Sequence, residues 1–153
     1  MQTTRHGEAL LQSIGNTPLL RLERIVKLPR GVQLLAKAEW LNPGGSVKDR
    51  PARYIIEDAL RRGLLGNGKT LIDATSGNTG IAYAMIGASL GIPIELVMPA
   101  NVSIERTQVA RAFGAKVRLS DPLEGSDGAI REARRLVADN PGKYFYADQY
   151  NNP

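Results

Sequence analysis

The sequence predicts an α/β fold, a parallel sheet flanked by helices. Three observations lead there. Short β-prone runs alternate with helix-like stretches from residue 32 onward. Glycine or proline stands at most of the junctions, at Gly63, Gly91, Pro99, Gly114 and Pro141-Gly142. The chain has 153 residues, 42% of them apolar, enough for one domain whose core needs no covalent staple. Strict alternation of this kind argues for parallel strands joined by right-handed crossovers.

The elements follow in order. Residues 32–39 read as a strand. Ala52, Ile55, Ile56, Ala59 and Leu60 have the spacing of one helix face, and Gly63 closes that helix. Residues 70–74 form a short β-prone run. Residues 79–90 are apolar with small side chains, as in a helix buried on more than one side, and Gly91 ends it. Residues 94–98 read as a strand cut off by Pro99. Ser103 is placed to cap a helix that runs to Phe113. Residues 116–119 form the next strand. Ser126 or Asp127 opens a helix with an apolar face of Ala129, Ile130, Ala133, Leu136 and Val137. Residues 144–147 are the last strand. The expected total is five strands separated by four helices. Residues 1–31 stand outside the series: 10–14 suit a short helix, 18–22 a strand and 25–30 a loop.

Composition excludes several chemistries. There is no cysteine, hence no disulfide framework, thiolate metal site or cysteine nucleophile. The single histidine, His6, lies in a polar N-terminal stretch and is expected to be solvated, so a histidine metal site or a Ser-His-Asp triad has little to be built from. Net charge is +5, but the basic residues form no block and alternate with Glu57, Asp58 and Glu132 on helix-like stretches. No aromatic platform interleaves them, so nucleic acid is not the expected partner. The N-terminus carries no secretory h-region, and residues 81–100, the most apolar stretch, are broken by Gly87, Gly91, Pro93 and Glu95. A soluble, cytoplasmic protein with no membrane partner is expected.

Two patterns read as structure. Residues 63–70 satisfy the phosphate-loop pattern G-x-x-x-x-G-K-[ST], yet that loop needs a strand before it and a helix after it. Here a helix ends at Gly63 and a strand starts at Thr70, so the glycines read as a helix stop and a turn. Asp121, Glu124 and Asp127 bracket a loop without the ligand spacing of a calcium site, and read as a solvated loop with helix capping.

Two loops at strand-to-helix junctions carry the chemistry, because ligands of open α/β sheets bind beyond the carboxyl ends of strands. The first is Asn42-Pro43-Gly44-Gly45-Ser46-Val47-Lys48-Asp49-Arg50. Pro51 is comfortable only in the first helical turn, which puts Lys48 at or just before a helix start. A cation there meets the positive end of the helix dipole, which favours the neutral amine. On spacing alone Lys48 fits either a surface lysine beside Asp49 and Arg50 or an amine nucleophile. The second loop is Thr75-Ser76-Gly77-Asn78-Thr79-Gly80, where hydroxyls, an amide and glycine-exposed N–H groups converge at a helix N-terminus. That chemistry suits an anion such as a carboxylate or phosphate. Capping alone would need one of these polar residues rather than four in five positions.

At these loops the chain resembles the pyridoxal-phosphate (PLP) enzymes of the β-substituting family, and most of all the B-type cysteine synthases (O-acetylserine sulfhydrylases). Further matching segments are Gly15-Asn16-Thr17-Pro18-Leu19, Ile81-Ala82 after the second loop, Met98-Pro99, Gly114-Ala115 and Asp148-Gln149-Tyr150-Asn151-Asn152-Pro153. They run in family order over nearly the whole chain. The resemblance implies a fold-type II enzyme in which Lys48 forms the Schiff base with PLP and takes the substrate Cα proton. It implies that Asn78 hydrogen-bonds the cofactor's phenolic oxygen, and that Thr75, Ser76, Gly77, Thr79 and Gln149 form the site for the amino-acid carboxylate. The implied reaction is β-replacement: O-acetylserine, or another activated serine, loses its leaving group to give an aminoacrylate, to which sulfide or another sulfur donor adds to form cysteine. Cystathionine β-synthase and serine/threonine dehydratase chemistry are alternatives on the same fold. The implied partners are an amino-acid substrate and a sulfur donor, with a homodimer as the complete assembly. In this family the loop that grips the PLP phosphate comes from the later half of the catalytic unit. The sequence therefore resembles an N-terminal half, and an inactive fragment is a third alternative. The expected division is residues 1–31 as a segment packing on the larger C-terminal domain, 32–147 as the Rossmann-like N-terminal domain, and 148–153 as the start of the C-terminal half.

Overall fold

A computed structural model describes residues 7–152; the expected solvated His6 and the terminal Pro153 lie outside the described residues. Strand β1 (Leu19–Arg21) pairs antiparallel with β2 (Leu35–Lys37). Strands β3 (Thr70–Ala74), β4 (Ile94–Pro99), β5 (Lys116–Ser120) and β6 (Tyr144–Tyr146) form a parallel sheet in the order β5-β4-β3-β6. The helices are α1 (Glu8–Ser13), α2 (Asp49–Arg61), α3 (Asn78–Leu90), α4 (Ile104–Ala112) and α5 (Gly125–Asp139).

The expected five-stranded sheet is corrected to four. Residues 32–39 were expected to supply its first strand. They shorten to Leu35–Lys37 and pair with Leu19–Arg21 instead. The apolar run signals a strand, but nothing local to it names a partner. Gly31 turns the chain with φ at +84°, and the strand stops where residues 39–41 enter a 3-10 turn. The expected short N-terminal helix is present as α1, and Leu11 and Ile14 are buried in the core. The Arg53 guanidinium donates to the Leu11 carbonyl at 2.8 Å, and Ser89 Oγ donates to the Gly7 carbonyl at 3.0 Å, fixing α1 on α2 and α3.

Period-two alternation splits the parallel sheet into two packed faces. Leu71, Ile94, Leu96 and Met98 face α2, α3 and α4; Ile72, Ala74 and Val97 face α5. Helix α3 is pressed between the sheet and α2, which explains why Ala82, Tyr83, Ala84, Met85 and Ile86 are all buried along successive positions. Gly87 lets it approach, since a Cβ there would collide with Ile94 and the Ile92 carbonyl. The phosphate-loop lookalike is a helix stop and turn as expected: α2 ends at Arg61, Gly63 has φ at +68°, and β3 begins at Thr70. Ser103 sits at the N-cap of α4, but its hydroxyl makes no cap hydrogen bond, correcting the expected capping. Helix α5 opens at Gly125, just ahead of the expected Ser126 or Asp127, after a 3-10 turn capped by Asp121, whose Oδ1 accepts from the Leu123 N–H at 2.8 Å.

Strand order places the site. From β3 the chain winds outward through β4 and β5, then returns across the sheet to lay β6 on the other side of β3. The winding reverses at β3, and the crevice beyond the carboxyl ends of β3 and β6 is the topological switch point, where such sheets bind ligands.

Candidate active site

The loop after β3 is Thr75 to Gly77, and α3 begins at Asn78. Gly77 occupies the N-cap with φ −132° and ψ −153°, and no side chain caps the helix. The hydroxyls therefore remain available. Thr75 Oγ1 accepts only a long bond of 3.5 Å from the Gly77 N–H, while the side chains of Ser76, Asn78 and Thr79 hydrogen-bond to no described residue. The first N–H groups of a helix have no partner within it. Gly80 and Ile81 turn back to the Gly77 carbonyl, leaving the N–H groups of Asn78 and Thr79 open. From α4, Arg106 holds the outside of the loop, donating to the Ser76 carbonyl at 2.9 Å.

The loop after β6 reaches the same place. Gln149 Nε2 donates to the Ala74 carbonyl at 3.2 Å, and the Gln149 N–H donates to Asp73 Oδ2 at 3.2 Å. Residues 75 and 149, separated by most of the domain in sequence, thus flank one crevice. Thr75 and Ser76 line a shallow cleft there with Pro99, Ser126 and Tyr150. A larger cavity of about 660 Å³, bounded by Leu11, Leu60, Lys69 and Pro93, contains none of the expected site residues.

Lys48 is the N-cap of α2, which starts at Asp49 with Pro51 in its first turn. Helix α2 leads into the start of β3 and α3 leaves its finish, so both run opposite to the strands and pack side by side. Lys48 at the N-cap of α2 and the Thr75–Gly77 loop at the start of α3 thus each precede one of two helices that pack together. Lys48 is exposed, and no described residue accepts from its amine. Three other lysines are engaged: Lys37 donates to the Thr17 carbonyl, Lys116 pairs with Glu95 at 3.3 Å, and Lys143 lies over the Tyr144 ring; Lys27 and Lys69, like Lys48, meet no acceptor among the described residues.

The sequence matches the family described as "Pyridoxal-phosphate dependent enzyme" over residues 10–153. The chain belongs to that family. It is 60% identical to a protein named cysteine synthase from Aquifex aeolicus over 148 residues, 95% of this chain and 45% of that protein. Among solved structures it resembles a cysteine synthase from Entamoeba histolytica with a TM-score of 0.90 and 41% identity, covering 94% of this chain and 44% of that one. It also resembles an O-acetyl serine sulfhydrylase, isoform 3, from the same organism, with a TM-score of 0.89 and 43% identity, covering 94% and 44%. The chain spans about 45% of the length of these relatives.

The residues present fit part of the cofactor. The free amine of Lys48 and the unpartnered amide of Asn78 are groups that would take an aldehyde and a ring hydroxyl, while the hydroxyls of Thr75, Ser76 and Thr79 would suit a substrate anion and not the cofactor itself. Open space surrounds Gly45 and Gly77, so backbone there can be approached closely.

Asp73 was missed by sequence reasoning, although an acidic residue inside the apolar run Leu71-Ile72-Asp73-Ala74 was a visible signal. It is 1% exposed. Burial pushes its pKa up to about 6, opposed by the N–H groups of Ala74 and Gln149. The Tyr83 hydroxyl lies against it but outside hydrogen-bonding geometry. Ionising Asp73 costs the folded chain on the order of 3 kcal/mol relative to the unfolded one. The folded state holds the proton more tightly, so this stability is complete below pH 3.8 and is lost as pH rises to about 6. Urea unfolding of Asp73→Asn and the parent at pH 4 and pH 7 should differ by up to that amount in pH dependence. Carboxylates whose pKa is shifted the other way, such as Glu39, are common to both proteins and cancel; parallel profiles would refute the burial argument.

Proposed function

We propose that this chain supplies the lysine-bearing and substrate-anchoring half of a cysteine-forming β-replacement enzyme, acting on O-acetylserine or another activated serine with a sulfur donor. The observation that carries the reading is the crevice at the switch point, where Gln149 meets Ala74 beside the unspent hydroxyls and N–H groups of α3. Lys48 holds pyridoxal phosphate and moves the proton at the substrate Cα. Asn78 orients the cofactor ring through its amide. Thr75, Ser76, Thr79 and Gln149 hold the substrate carboxylate, with the backbone at Gly77 leaving room for it. Bound pyridoxal phosphate supplies the electron sink for loss of the leaving group and addition of sulfur. The names of the relatives, cysteine synthase and O-acetyl serine sulfhydrylase, support this chemistry over other reactions of the family.

The test is complementation. The chain is co-expressed with the C-terminal remainder of the Aquifex aeolicus protein and assayed with O-acetylserine and sulfide. Cysteine should form, and Thr79→Ala should weaken substrate binding by roughly 1.5–3 kcal/mol, the worth of one hydrogen bond to a charged group. Release of pyruvate without cysteine would overturn the β-replacement reading, and unchanged substrate affinity in Thr79→Ala would remove the loop's role.

A further inference from the structure

The loop that carries Lys48 is rich in residues that leave the backbone free, with Pro43 alone fixing its own φ. Pro43, Gly44, Gly45 and Ser46 precede the lysine, and Gly45 has φ at +78°. Its shape comes from outside, from the Glu39 carboxylate. Oε2 of Glu39 accepts from Asn42 Nδ2 at 2.8 Å and from Arg50 Nε at 2.8 Å. Oε1 accepts from Arg50 Nη2 at 3.0 Å and from Thr17 Oγ1 at 2.9 Å. Four donors fill the four lone-pair sites of a carboxylate. Asn42 begins the loop and Arg50 follows it, so one side chain joins both of its ends.

The rest of the loop is pinned to these ends. Asn42 Oδ1 accepts from the Gly15 N–H at 2.8 Å, and the Gly45 N–H donates to the Asn42 carbonyl at 2.8 Å. Asp49, buried beside Lys48, accepts from the Gly44 N–H at 2.5 Å, and a Cβ at Gly44 would strike that carboxylate. The hydrogen bond from Arg50, foremost, holds the Glu39 pKa down to about 2, so the charge persists across the physiological range.

We propose that Glu39 is a positioning residue for Lys48: by tying Asn42 to Arg50 it sets the course of the loop and fixes where the lysine amine stands. The proposal rests on the reading of Lys48 as the cofactor lysine. It also gives the Gly15-Asn16-Thr17 segment a purpose, since Thr17 and Gly15 brace the same carboxylate and amide. Glu39→Gln would replace one oxygen by a donor aimed at Arg50 or Asn42, whereas Thr17→Val removes one donor and keeps the carboxylate.

The test uses residues 1–153 with pyridoxal phosphate itself as the probe. Borohydride-trapped labelling is followed at Lys48 and at Lys69, a lysine outside the network that serves as internal standard. Hydrogen exchange is followed at Gly44 and Gly45. In Glu39→Gln the Lys48-to-Lys69 labelling ratio should fall about tenfold or more and both amides should exchange faster, with a smaller change of the same sign in Thr17→Val. An unchanged labelling ratio in a folded Glu39→Gln chain would overturn the proposal, even if its melting temperature dropped. Should Glu39→Gln fail to fold, Thr17→Val decides by the same ratio. If Lys48 is unlabelled in the parent chain, the cofactor reading fails by itself, and unchanged exchange at Gly44 and Gly45 then overturns the positioning role while faster exchange supports it.

Discussion

Lys48→Ala is expected to remove the dominant borohydride-trapped label, leaving only the background on lysines such as Lys69, and, in the complemented enzyme, to reduce turnover by at least roughly 10²–10⁴-fold, the contribution of a positioned proton-transfer group. The physical basis is availability and place. The amine has no partner among the described residues, a freedom it shares with Lys27 and Lys69 but not with Lys37, Lys116 and Lys143, which spend theirs on a carbonyl, a carboxylate and a ring, so place decides. It stands at the N-cap of α2, a helix that packs against α3. Peptide mapping after reduction checks the assignment. A stoichiometric label on Lys69 in both the parent and Lys48→Ala would remove Lys48 from the site.

Tyr83→Ala should destabilise the fold by about 3–5 kcal/mol, the range for removing a large aromatic from a core. Tyr83 is fully buried on α3, the helix pressed between the sheet and α2. Tyr83→Phe should cost less than about 1 kcal/mol, or stabilise, because the buried hydroxyl makes no hydrogen bond to lose. Urea unfolding of the two variants separates volume from polarity. A large cost for Tyr83→Phe would show that the hydroxyl bonds Asp73 in solution, and the pH profile of Asp73 would shift with it.

The parts of the site that the sequence revealed are those whose chemistry is local. Pro51 located the start of α2 and so the place of Lys48, because a proline tolerates only the first turn. The polar cluster from Thr75 to Thr79 declared itself by holding more hydrogen-bonding groups than a cap requires, and the structure leaves those groups unspent. Gln149 entered through a family resemblance, and nothing in its own neighbourhood points to Ala74. Glu39 was invisible for the same reason: its partners are Thr17, Asn42 and Arg50, and an acidic residue beside Trp40 reads as surface.

The sequence by itself determined the alternation of strands and helices from residue 70 onward, the two polar loops at helix starts and the family. Apolar periodicity, proline and glycine act within a few residues of where they stand. The tertiary structure decided which strands pair. It took residues 35–37 out of the parallel sheet and set them against 19–21, and it laid β6 beside β3. A strand's side-chain pattern states which faces are buried, while its backbone hydrogen bonds are the same for every partner. Which strand lies beside which, and therefore where the winding reverses and a ligand crevice opens, emerges only when the helices compete for the two faces of the sheet.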